Sequence, residues 1–179
     1  MWLAEVKAKA KRKNQILFSK DCLLLDELCQ LIEQANRRVL VLWALELAEE
    51  TARELAGKYP EAPCPREAIA ASKAWASGEI KMPIAKQAIL NCHAMAKELA
   101  DPVDIARCHA VGQACSVVHT TGHALGYPMY ALTAIVLELG LEECREPIEQ
   151  RVMYYEQRLR YWVEYEKICQ LNWAGFLKK

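Results

Sequence analysis

Residues 36–57 read NRRVLVLWALELAEETARELAG, and the spacing of their apolar letters decides the fold class. Leu40, Ala44, Leu47, Thr51 and Leu55 recur every three or four positions, so they line one face of a helix. Glu46, Glu50, Arg53 and Glu54 take much of the opposite face. Asn36 stands where a side-chain oxygen can accept from the first unpaired backbone N–H groups. Gly57 offers the left-handed exit common at helix ends.

The same rhythm spreads in both directions. Upstream, Leu24, Leu28, Leu31 and Ile32 predict a helix over about 21–35. Downstream, the stretch from Lys58 to Pro65 holds three prolines and reads as a loop. Pro65 then opens a helix to about Gly78, Pro83 one to about Leu99, and Asp101-Pro102 one to about His119 or beyond. Thr120-Thr121-Gly122 and Gly126 with Pro128 mark breaks. Further helices follow over about Pro128–Leu139, and from Pro147 to about Gln170. In the last, Val152, Tyr155, Leu159, Trp162, Tyr165 and Cys169 recur at helical spacing. No run reads as a strand. The expectation is an all-α, compact bundle of about seven helices, with stacked helical hairpins as a variant. Residues 21–179 read as one domain, and residues 1–20 as a basic arm or short helix, with five of seven residues basic from Lys7 to Lys13.

Composition narrows the function classes. Twenty-three basic residues balance twenty-three acidic ones, which gives no general attraction for nucleic acid and mildly favours self-association. Eight cysteines lack CxxC spacing and lie mostly in apolar stretches, so they read as buried thiols of a cytoplasmic protein. No secretory leader pattern is visible. The tract from Cys108 to Leu137 carries no Asp, Glu, Lys or Arg. Its histidines, hydroxyls, glycines and Pro128 make it a buried helix pair rather than a membrane span.

The histidines are the sharpest chemical feature. His93, His109, His119 and His123 lie within thirty-one residues. On an unbroken helix Cys115, His119 and His123 would form a stripe one turn apart, a zinc-ligand arrangement that His109 or His93 could complete. Against this, the intervening Thr120, Thr121 and Gly122 supply no glutamate, and no carboxylate lies nearby in sequence to orient a ligand. Framework histidines, a zinc site and acid–base chemistry in a His/Cys enzyme all stay open at this point.

The last helix interleaves Tyr154, Tyr155, Tyr161, Trp162 and Tyr165 with Arg151, Arg158 and Arg160. Such residues anchor protein interfaces, so Tyr154, Arg158, Tyr161, Trp162 and Tyr165 are the candidate partner surface, for another protein or for a second copy of the chain. The acidic row Glu46, Glu49, Glu50 and Glu54 is either a solvated face or a contact for a basic partner.

Four blocks carry a family resemblance. They are Arg37 to Trp43-Ala44; Pro65-Arg66-Glu67-Ala68-Ile69 with Ala74-Trp75-Ala76-Ser77-Gly78-Glu79; Ala88 to Ala96 with His93; and His109-Ala110 with Gly122-His123-Ala124 and Tyr130-Ala131. Together they resemble the alanine-rich, all-helical immunity proteins of bacterial polymorphic toxin systems. The resemblance covers about Arg37 to Leu137. It implies a helical protein that binds and neutralises a toxin made by the same cell; it supplies no known catalytic residue, and the expectation is no cofactor, with zinc as the alternative. It places Trp43, Trp75, Gly78, Gly122, Tyr130 and the histidines in the framework.

Overall fold

A computed structural model describes residues 1–168 and 170–178. Cys169 therefore lies outside the described residues. Eight α-helices and no strand occur among the described ones: α1 (Trp2–Lys11), α2 (Asp26–Gln34), α3 (Arg37–Lys58), α4 (Cys64–Ala76), α5 (Met82–Ala96), α6 (Pro102–Ser116), α7 (Gly126–Glu143) and α8 (Arg145–Glu166). The protein is all-α. The eighth helix, beyond the seven expected, is α1. Its Trp2 and Val6 are buried, and its Trp2 indole donates to Glu149 at the start of α8 (3.2 Å).

The helix starts follow from local chemistry. Asn36 Oδ1 accepts from the Val39 N–H (3.0 Å) and Asp101 Oδ1 from the Val103 N–H (2.9 Å), each satisfying a donor the helix cannot. Prolines occupy the first turn of α4, α5 and α6, where their missing N–H costs nothing. Gly140 has φ 78 and breaks α7 one residue after the expected end at Leu139.

Small side chains put α6 at the centre. Ala106, Ala110, Gly112 and Ala114 are buried along it, so neighbouring axes come close, and α6 packs against α3, α4, α5 and α7. α8 returns to cover α2, α3 and α7, burying Ile148, Val152, Tyr155 and Leu159. In a linear stack of hairpins only chain neighbours would touch. Here α3 meets both α6 and α8, and the bundle closes. Trp43 is fully buried at that junction and its indole donates to the Tyr155 carbonyl (3.0 Å).

Arg37 ties distant pieces together. Its guanidinium donates to the Val118 and His119 carbonyls (2.9 and 2.7 Å) just past the end of α6, where a cation suits the helix dipole. It also donates to the Phe176 carbonyl (3.4 Å) and lies 5.3 Å from the Phe176 ring centre. The seven described cysteines are free, and five of them are buried as small apolar groups. One stretch, Thr121–Glu143, is long and apolar enough to cross a membrane by length and composition; in this fold its helix packs against α6 and α8.

Candidate functional site

The helix carrying the second histidine block is shorter than its sequence suggests. α6 stops at Ser116, whose hydroxyl donates to the Gly112 carbonyl one turn back (2.8 Å). Val117, Val118, Thr120 and Thr121 then supply four branched side chains that disfavour helix. Thr120 Oγ1 accepts from the Gly122 N–H (3.4 Å) and starts a single 3-10 turn, Thr121–His123. The Cys115–His119–His123 stripe of an unbroken helix does not form. Cys115 is sealed in the core against Ser72, and burial pushes its thiol up to about 12. His119 is exposed, its ring stacked 6.0 Å from that of Trp75. Among the described residues, no three of His, Cys, Asp and Glu gather into a group that could hold a metal ion.

The histidines are held in two chains of contacts. His93 of α5 and His109 of α6 meet nitrogen to nitrogen, Nδ1 to Nδ1, at 2.9 Å, and the His109 ring packs on Tyr130 at 5.2 Å. His123 Nδ1 lies 2.9 Å from Gln113 Oε1, so His123 donates and Nε2 is its bare nitrogen when the ring is neutral. Two glycines make room for this. A Cβ at Gly112 would stand 2.4 Å from His93 Cε1, and one at Gly126 would stand 2.4 Å from Gln113 Oε1. Burial lowers the pKa of His93, His109 and His123, with the neighbouring rings adding to the effect at His93.

Three of the four imidazoles converge. His93, His119 and His123 line a pocket of about 320 Å³ with Trp75, Ser116 and Lys86, against an apolar wall on α5. His109 instead faces a second hollow of about 480 Å³ with Tyr130. Lys86, Ser116 and Gln113 carry no motif that sequence reading could single out. The packing of α5 on α6 and the return of the 121–123 turn onto α6 bring them to the histidines.

The candidate partner helix is locked on one side and open on the other. Arg158 grips Glu46 with two N–H groups (Nε 3.0 Å, Nη2 2.6 Å), and the Trp162 indole donates to the same carboxylate (2.6 Å). Tyr154 and Arg151 both reach Glu50, and Arg160 reaches Glu27. Burial and the Glu50 carboxylate push the Tyr154 phenol up to about 12, which keeps it a donor. The acidic row of α3 is thereby spoken for: Glu46 and Glu50 bind α8, Glu49 binds Lys73, and Glu54 binds Arg107. Beyond the lock, Tyr161 and Tyr165 stack at 5.5 Å and remain 43% and 39% exposed, with the Arg158 guanidinium 4.1 Å from the Tyr161 ring centre.

The site thus sits on a closed alanine-rich bundle with Trp43 and Trp75 buried and aromatic residues facing outward on α8. A family described as "Imm-5 like putative immunity protein" matches residues 30–158. The chain belongs to this family. No curated protein and no solved structure matches it. The matched span runs from α2 to Arg158, so it takes in the histidine pocket, both tryptophans and the Arg158–Glu46 clasp of this immunity-family fold. Tyr161, Trp162 and Tyr165 lie just past it.

Proposed function

We propose that the chain is an immunity protein that binds a cognate toxin in the cytoplasm and neutralises it by covering its surface, without catalysis. Family membership supports an immunity role and a protein partner. The observation that carries the binding reading is the stacked pair Tyr161 and Tyr165 on α8. Large rings, exposed yet held by a helix clasped to α3 through Glu46, give contact area at low entropic cost. Tyr154, Arg158 and Trp162 position that face from beneath. The balanced net charge favours a protein over nucleic acid as the partner. Trp43, Trp75, Gly78, Gly122 and Tyr130 serve the framework.

The test is survival. Cells carrying the wild-type chain should withstand the cognate toxin, and cells carrying Tyr161→Ala with Tyr165→Ala should not, at equal protein levels. Full protection by the double variant would move the contact elsewhere on the surface.

A further inference from the structure

Val41 and Leu42 share one hollow with Ala76 and Ser77, and Arg53 shares another with Arg66, so α3 and α4 run antiparallel. Their seam stays open where its residues are small, at Ala52, Ala70, Ala76 and Ser77. The two hollows, of about 560 and 330 Å³, have Glu49 and Lys73 in common. These side chains form an ion pair from α3 to α4, so the hollows are the two ends of one groove. From Val41 to Arg53 it follows α3 for about 18 Å, at about 1.5 Å of rise per residue.

The ends differ in character. At one, Trp162, Tyr165, Leu171 and Trp173 meet Leu42 and Leu45, and Leu171 is 47% exposed. This wall is held in place. The Trp162 indole donates to Glu46 (2.6 Å), and the Ala174 N–H donates to the Ala76 carbonyl at the end of α4 (2.7 Å). At the other end Arg53 and Arg66 flank Ile69. Of the acids lining the groove, Glu46 is taken by Arg158 and Glu49 by Lys73. Among the described residues Arg53 and Arg66 have no hydrogen bond or ion pair, so the surplus charge of this end is positive. Tyr165 belongs both to the groove and to the exposed face of α8. The groove therefore continues the proposed contact surface.

We propose that the α3–α4 groove receives an acidic segment of the toxin. One large apolar side chain of that segment sits between Tyr165, Leu171 and Trp173, and its carboxylates lie toward Arg53 and Arg66. The inference rests on the toxin-binding reading and names the kind of segment bound. An apolar anchor in a walled pocket excludes water and sets how long the complex lasts. Unpaired arginines at the rim need no fixed geometry, because rim charge acts at a distance on the rate of encounter.

Biolayer interferometry of the full chain on immobilised cognate toxin separates the two rates. Leu171→Glu should speed dissociation about tenfold. Arg53→Glu with Arg66→Glu should slow association about tenfold at low salt and change dissociation little. High salt should slow association of the wild type and speed that of this variant. All three residues are exposed, and an unchanged circular-dichroism spectrum and Tm confirm that the variants fold. Wild-type rates in both variants overturn the groove; loss of binding in Tyr161→Ala with Tyr165→Ala would then leave the α8 contact standing. An effect of only one variant overturns the paired apolar and acidic character of the segment. No binding by the wild-type chain overturns both readings. A dimer of the chain alone that Leu171→Glu dissociates, seen by analytical ultracentrifugation, would give the groove to a second copy and overturn the toxin segment.

Discussion

His93 and His109 face each other through their Nδ1 atoms at 2.9 Å, one donating and the other accepting, across the α5–α6 contact. Only one proton can sit between them, so protonating both rings would set two N–H groups and two like charges face to face at that distance. Burial already disfavours charge on both rings, and on His123. Their folded pKa values lie below the unfolded ones, so the unfolded chain binds more protons in the intervening range. Stability should be full above the ordinary histidine range and fall as pH drops through it. Thermal melts at pH 7.5 and 5.5 should show a lower Tm at 5.5, and His93→Gln should flatten that slope. A Tm that rises on acidification would contradict the pairing.

Gly112 and Gly57 should respond to alanine with opposite signs. At Gly112 the new Cβ runs into the His93 ring, and forced repacking costs about 1–3 kcal/mol. At Gly57, near the end of α3, nothing stands within 4 Å, and alanine should gain about 0.5–1 kcal/mol from helix propensity. Urea unfolding of both variants checks the pair.

Glu46 should be worth more than a surface acid. It accepts from Arg158 and Trp162 at once, and Glu46→Ala leaves both donors and a partly buried guanidinium without their partner. A loss of about 1–3 kcal/mol is expected. Faster amide exchange from Arg158 to Glu166 should accompany it, since that clasp fastens the end of α8 to α3.

Asp104 is the buried counterpart. It is 1% exposed, and both its oxygens accept from Lys58 at 3.0 Å, with Tyr59 at 2.9 Å and Arg107 at 3.3 Å. Burial alone would raise its pKa, but these donors outweigh it and hold the carboxyl below its usual range. The stability it contributes is present above the unfolded carboxylate pKa and fades as pH falls through the folded one. Asp104→Ala should cost about 2–4 kcal/mol near neutral pH and progressively less in acid, by denaturant melts at pH 7 and pH 3.

The helices were legible because burial writes a period of three to four residues into each of them, and Asn36 and Asp101 mark two starts that the structure confirms with cap bonds. The end of α6 was harder to read. An uncharged run continues through His123, and Thr120-Thr121-Gly122 marks a break there, whereas the helix already gives way after Ser116, where Val117 and Val118 are the first of four branched residues. The acidic row of α3 was misleading for a different reason. Periodicity says which face is polar but not what covers it, and the arginine that takes Glu46 comes 112 residues later. The histidine pocket was half legible: its rings stand out in sequence, whereas Lys86 and the two glycine seats depend on how α5, α6 and α7 pack.

Calorimetric titration of the chain against the proposed cognate toxin bears most directly on the claim that the aromatic face of α8 makes the contact. Tyr161→Ala or Tyr165→Ala should each weaken binding by about 2 kcal/mol, roughly thirtyfold, while Arg145→Ala at the other end of the helix leaves it unchanged. Wild-type affinity in both tyrosine variants would contradict the account.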